Sequence, residues 1–400
     1  MEATEVSHAQ QAERKDTHRM AYIIHFLLGA GNLLPWNALI TAVDYFAYLY
    51  PTKHIERVFS VAYMTSSLLV LALMMSWGGW NKASLRLRLS LGFSIFVVSL
   101  MVAPLIDWTF CSNKLRERPA GAYGFTVAAV VTCGLGDGLV AGSLIGSAAK
   151  LPKEYMQAVF AGSASSGILI SILRILTKAS LPQTPKGLQT SAHLYFIVAS
   201  ILLILCIVSC NLLDKLPVMQ QNQQRLVDQH MNFSFSRPKF WAVAARIKFP
   251  SFGILIIYIV TLSIFPGFIS EDLKSEYLKD WYLILLISVY NMADLIGKSL
   301  TAFYVLQSIR TATWASITRL LFYPLFLLFL HGPTWLKTEA PMVVLTFMLG
   351  LSNGYLTSVL MILAPKSVPI SESELSAIVM IMFLGLGLAG GSVLGWFWII

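Results

Sequence analysis

Apolar residues fill eleven stretches of this chain, near 21–46, 57–77, 89–106, 122–149, 156–177, 193–213, 249–270, 281–307, 312–331, 342–364 and 375–399. An α-helix needs about 20 apolar residues to cross the hydrocarbon core of a bilayer. Each stretch is therefore read as one transmembrane helix, and the longer ones have room to tilt. The connectors are short with one exception, residues 214–247, which are polar and include the Gln-rich run from Met219 to Gln224. That connector divides six helices from five. The pattern predicts an all-α multi-pass membrane protein with four parts: an N-terminal tail over 1–20, a six-helix bundle over 21–213, a linker over 214–247 and a five-helix bundle over 248–400.

Composition agrees with the pattern. Of the 400 residues, 56% are hydrophobic and 12% charged, whereas a soluble domain carries about 25% charged residues. The net charge of +9 is scattered over the connectors, with no basic groove or aromatic-basic interleaving for nucleic acid. With the N-terminus inside, the inner connectors hold sixteen Lys and Arg and the outer ones ten. Positive charge concentrates on the cytosolic side, so the linker is expected in the cytosol and the C-terminus outside. On that topology the sequon Asn232-Phe233-Ser234 stays unglycosylated. Residues 1–20 contain no apolar core of a cleavable signal peptide. The four cysteines, Cys111, Cys133, Cys206 and Cys210, have no metal-site spacing, and no cofactor is expected. There is no GxSxG, HExxH or phosphate-binding loop, so enzyme chemistry is not expected either.

Small residues recur every four positions at Gly134, Gly138, Gly142 and Gly146, and again at Gly387, Gly391 and Gly395. Such stripes let helices approach closely in lipid, as fixed packing or as sliding faces. Pro35, Pro266, Pro324 and Pro365 interrupt spans. Each lacks an N–H, so a carbonyl four residues earlier needs another partner. For Pro35 that carbonyl belongs to Gly31.

Polar side chains at membrane depth carry the chemistry, because a charge there costs several kcal/mol unless paired or wetted. Asn291, Asp294 and Lys298 are spaced i, i+3, i+7 and fall within about 60° of one another on a helix. They predict a polar wall inside a bundle. Asp294 and Lys298 either neutralise each other or hold a polar ligand. Trp36 lies too deep for an interfacial belt, and it is either a packed core residue or a stacking surface beside Asn37. Asp137, in Gly136-Asp137-Gly138, has no basic residue at i±3 or i±4. It is a candidate proton carrier or cavity residue. Asp44 lies nearer the surface, as a second acid or a solvated helix end. Arg174 and Arg319 read as gate or anchoring charges rather than ligand contacts.

These segments resemble the equilibrative nucleoside transporters. Pro35-Trp36-Asn37 with Ile40-Thr41-Ala42 and Tyr45-Phe46 is similar to the first-helix signature of that family. Tyr290-Asn291-Met292-Ala293-Asp294 with Gly297-Lys298-Ser299-Leu300-Thr301-Ala302 is similar to its eighth-helix signature. Further matches are Leu151 to Gln157, Phe160-Ala161-Gly162, Ser263-Ile264-Phe265-Pro266, Arg319 to Phe326, Asn353-Gly354-Tyr355-Leu356 and Ala364-Pro365-Lys366. The plant members are the most similar. The resemblance implies a 6+5 arrangement like the major facilitator fold and carriage of nucleosides, sometimes nucleobases, by alternating access. Transport would be facilitated diffusion or proton-coupled. It implies that Asp294 and Lys298 face the ribose and that Leu33 and Trp36 pack near the base; stacking of the base on Trp36 and Phe265 is expected by analogy with other aromatic platforms. A polyspecific organic-cation carrier is the alternative within the family. Two positions depart from the pattern: Lys298 stands where many members have Arg, and Ala141 where many have a base-reading Gln; Ser163 stands where the cation-transporting branch has Glu, which weighs against an amine substrate. The absence of a clear acidic dileucine signal favours the plasma membrane over the vacuolar one.

Overall fold

The computed structural model describes residues 2–51, 53, 55–76, 83–109, 121–182, 184–217, 219–220, 240–265, 275, 277–278, 281–331 and 339–395. The sequon at Asn232, Cys111, Pro266 and most of the linker lie outside the described residues. The first bundle comprises α1 (Glu2–Thr41), α2 (Val43–Leu49), α3 (Ile55–Ser76), α4 (Leu85–Thr109), α5 (Gly121–Ala148), α6 (Lys153–Ser180) and α7 (Pro185–Leu213). The second comprises α8 (Phe240–Arg246), α9 (Lys248–Ile264), α10 (Trp281–Leu300), α11 (Ile309–Thr318), α12 (Phe322–His331), α13 (Glu339–Lys366) and α14 (Ile370–Leu394). Among the described residues there is no strand.

Among the described residues, ten helices are long and apolar enough to cross a membrane, or eleven when the bent pair α8 and α9 is counted as one span. Their outward faces are unpaired hydrocarbon: Val98, Phe125 and Ile201 are 65%, 68% and 55% exposed. Only a lipid solvent accommodates such a surface over every helix.

Several boundaries differ from the apolar pattern, each for a local reason. The polar tail continues α1 as helix from Glu2, since nothing in it breaks the backbone ladder. The last residues of the expected linker form α8, which meets α9 at 76°. The seventh span ends at Ile264, with Phe265 already extended. The eighth ends at Leu300, seven residues short of its apolar stretch, where Thr301 turns back to the Lys298 carbonyl at 2.6 Å. The ninth is broken by a 3₁₀ turn over Arg319–Leu321. Pro324 offers no N–H to the Leu320 carbonyl, and the tighter turn absorbs that gap. The thiol of Cys206 in α7 donates to the Leu27 carbonyl of α1 at 3.4 Å, so that cysteine is a hydrogen-bonding partner as well as a buried apolar residue.

Inside the first bundle α1 lies along α6, and α5 lies between α3 and α4. Inside the second α10 lies along α13, and α9 along α14. The bundles meet where α6 packs on α10 and where α14 packs on α3 and α5. At the end assigned to the cytosol by the charge count, Glu374 of α14 pairs with Lys150 and lies 3.7 Å from Arg88. This ion cluster ties the two bundles there. At the opposite end of the first bundle, Arg174 of α6 donates to the Thr41 carbonyl, 2.6 Å, and pairs with Asp44, also 2.6 Å. Arg174 therefore closes the break between α1 and α2.

Candidate substrate site

The site is assembled by close backbone approach of α10 and α13. A Cβ on Gly354 would collide with the Asp294 carbonyl, and one on Gly297 with the Leu351 carbonyl. Only glycine lets the two helices touch at this depth. The approach puts Asn353 against Asp294: Asn353 Nδ2 donates to Asp294 Oδ1 at 2.8 Å. Lys298, one turn along α10, donates its Nζ to Oδ2 at 2.7 Å. Both carboxylate oxygens are thus held, from two directions. The pair is out of solvent, with Asp294 7% and Lys298 4% exposed.

Arg319 stands behind Asn353 and is 2% exposed. Its guanidinium donates to Thr261 Oγ1 at 2.8 Å, to the Leu349 carbonyl at 3.2 Å and to Asn353 Oδ1 at 3.4 Å. Read from sequence as a gate or anchoring charge, it sits in this network with only Asn353 between it and the Asp294 carboxylate. Arg319 is the first residue of the 3₁₀ turn that breaks the ninth span. The network holds two cations and one carboxylate, a combination that disfavours a cationic ligand.

The stripe of Asn291, Asp294 and Lys298 is split in the fold. Asp294 faces α13, whereas Asn291 reaches across the bundle interface to Ser171 Oγ at 2.9 Å and the Gly167 carbonyl at 3.3 Å. A separation of about 60° is enough to place neighbouring turns on different seams. Asn37 of α1 donates to Ser166 Oγ at 2.8 Å, so the two asparagines dock on adjacent positions of α6. Those partners, Ser166, Gly167 and Ser171, lie with Ser163 at helical spacing on α6 as a small-residue stripe. Its period was visible in the sequence, but its polar character there reads equally as packing. Ser163 is buried and donates to the Gly29 carbonyl at 3.0 Å and to its own-helix Val159 carbonyl at 2.9 Å.

On the other side, Leu33, Trp36, Asn37, Ile40 and Thr41 form the half-buried face of α1. The Trp36 ring packs on Tyr63 of α3 with centroids 4.7 Å apart. The Tyr63 hydroxyl lies beside Asp137, which also accepts from Ser67 Oγ at 2.7 Å. Gly138 permits this, since a Cβ there would meet the Ser67 backbone. Asp137 is half-buried and Ala141 is buried. In the second bundle the Phe265 ring stacks on Tyr290 at 4.1 Å and 17°. Asp44 belongs to the Arg174 pair and is solvated, its side chain 53% exposed.

A further acid went unnoticed in the sequence. Asp107 of α4 has a side chain 1% exposed and accepts from Tyr45, from Gln189 at 3.0 Å and from His193 at 2.7 Å. Its partners are spread over α2 and α7, so no spacing announces them. Among the described residues no group of His, Cys, Asp or Glu could hold a metal ion.

A family model described as Nucleoside transporter matches residues 127–232 and 226–400. Equilibrative nucleotide transporter 8 of Arabidopsis thaliana is 62% identical over 390 residues, 98% of each chain. Equilibrative nucleotide transporter 1 of the same plant is 50% identical, covering 96% of this chain and 87% of its own. Among solved structures, the proton:xylose symporter XylE of the major facilitator superfamily superposes with a TM-score of 0.68 at 14% identity, over 97% of this chain and 88% of its own. The E. coli fucose:proton symporter FucP gives 0.60 at 12% identity, over 94% of each. The two symporters speak for the fold alone, a major-facilitator-like arrangement of two bundles. The family match and the two plant relatives, each aligned nearly end to end, place the chain in the equilibrative nucleoside transporter family, in its plant branch.

Proposed function

We propose that this protein moves nucleosides across a membrane by alternating access, with the sugar at Asp294 and Lys298 and the base between Trp36 and Phe265. The observation that carries the reading is the buried Asp294–Lys298 pair, whose Asp is held in place by Asn353. A desolvated carboxylate of fixed orientation suits hydroxyl donors, and an ammonium beside it suits hydroxyl acceptors. Stacking on an aromatic side chain contributes ~1–3 kcal/mol per base and tolerates any base. Leu33 extends the apolar wall of α1, and Asn37 and Asn291 line the seam with α6. With Ala141 in place of a base-reading Gln, Asp137 is the polar group one turn away for the base edge.

Nucleosides are favoured over nucleotides because the terminal nitrogens of Arg319 are already committed to Thr261, Leu349 and Asn353. A phosphate dianion finds no open fork there. Organic cations are disfavoured by the surplus positive charge and by Ser163 in place of a carboxylate. Proton coupling is assigned to Asp137, since Asp44 is in an ion pair with Arg174. The plasma membrane is the proposed location.

Radiolabelled adenosine, uridine, adenosine monophosphate and a monoamine, offered to transporter-null cells at two external pH values, test this. Adenosine and uridine should enter, the other two should not, and Asp294→Ala should reduce nucleoside uptake at least about tenfold, the loss of one charged hydrogen bond. Undiminished uptake by Asp294→Ala would sink the site. Uptake that does not rise at acidic external pH would remove proton coupling and leave facilitated diffusion.

A further inference from the structure

We infer that Asn353 is a positioning residue for Asp294, and that Arg319 and Thr261 fix Asn353 in turn. The inference rests on the reading of Asp294 as the group that meets the sugar. Asn353 lies between a carboxylate and a guanidinium. Its Nδ2 is 2.8 Å from Asp294 Oδ1, and its Oδ1 is 3.4 Å from an Arg319 nitrogen and 2.9 Å from Thr261 Oγ1. An amide placed so has one favourable orientation. Flipped, its oxygen would face the Asp294 anion and its NH₂ the Arg319 cation, two repulsions in a buried setting. The charges on either side therefore decide the rotamer of Asn353 with no freedom left over.

Thr261 adds to this. Its hydroxyl accepts from Arg319 at 2.8 Å and has one proton, which goes either to Asn353 Oδ1 or to the Ile257 carbonyl at 2.8 Å. It holds Arg319 in both cases. The consequence falls on Asp294. Lys298 is on the same helix and follows any rotation of α10, so it does not define the carboxylate plane relative to the rest of the site. Asn353 is on α13 and does. With Oδ2 held by Lys298 and Oδ1 by Asn353, the carboxylate presents its remaining lone pairs in one direction, as a vicinal diol requires. Pre-set geometry of this kind reduces the ordering needed when a ligand binds.

Uptake of adenosine and of 2′,3′-dideoxyadenosine by the full-length protein separates positioning from general structure. The ratio of their KM values is independent of how much folded transporter each variant yields. Asn353→Ala should raise the adenosine KM about tenfold, the scale of a hydrogen bond to a charged group, and leave that of the dideoxy compound within about twofold. Thr261→Val, a milder change that keeps Asn353, should shift the ratio the same way by roughly threefold, and serves where Asn353→Ala does not fold. Asp294→Ala is the reference. If it flattens the ratio and the other two variants leave it at the parental value, or shift both substrates equally, the positioning role is wrong and the sugar assignment stands. If Asp294→Ala itself keeps the parental ratio, the sugar assignment falls and the positioning role with it.

Discussion

Asp294 shows why a buried pair is costly to break. Removing one partner of a buried, hydrogen-bonded ion pair costs roughly 3–5 kcal/mol, because the other charge is left uncompensated. Asp294→Ala should therefore lower the detergent-solubilised melting temperature as well as uptake, and Lys298→Met in the same chain should recover much of the melting temperature without recovering uptake. Thermal unfolding of the single and double variants checks this; equal melting of both would contradict the pairing. The Asp294–Lys298 pair was legible from i, i+4 spacing. Asn353 was visible only as part of a motif, because its partner lies 59 residues away and no periodicity reports a contact between helices. Asn291 shares the stripe with Asp294 but bonds a different helix, its amide reaching Ser171 of α6. Arg319 was legible as an intramembrane charge, and its inward direction was not, since its partners Asn353, Thr261 and Leu349 lie on other helices far along the chain.

At the scale of elements, hydrophobic length was a sound guide to how many helices cross and a weak one to where they stop. α10 ends seven residues before its apolar stretch does, because Thr301 and the residues after it turn back on the helix terminus. Glycine is the more informative signal for packing. Gly354 sits against the α10 backbone at the level of Asp294. Gly354→Val should force α13 away from α10 at a cost of about 1–3 kcal/mol or more, and uptake should fall with it although no polar group has changed. A Gly354→Ala variant with unaltered uptake and unaltered melting would contradict the close approach. The small stripe on α6 is a gentler case. Hydrogen bonds between membrane helices average about 0.6 kcal/mol, so Ser171→Ala should leave melting nearly unmoved and act on the rate of exchange between conformations. Single-turnover efflux reads that rate.

For the whole molecule, the proposed alternating access turns on the relation between the two bundles. α6 and α10 are joined along their length, by Gln157 to Thr301 at 3.1 Å near one end, by Asn291 in the middle, and by Lys178 over the Trp281 ring at 5.8 Å near the other. The Glu374 cluster with Lys150 and Arg88 fastens the end assigned to the cytosol. A partly exposed ion pair contributes up to about 1 kcal/mol, a factor of roughly five in a two-state equilibrium. Glu374→Gln should shift the population by that order toward opening at this end. Spin-label distances between α5 and α14 would register it, and an unchanged distribution would remove the cluster from the gating account. The 6+5 division was legible from one long polar connector, whereas the ion cluster was not, since its three members come from three different helices or connectors.

Counterflow in proteoliposomes tests the central claim most directly. Vesicles holding purified protein are loaded with unlabelled adenosine and diluted into a trace of labelled adenosine. Alternating access through the Asp294 site predicts a transient accumulation of label above its equilibrium level, absent with Asp294→Ala reconstituted at equal density. No overshoot from the parental protein, or an undiminished one from Asp294→Ala, would contradict it.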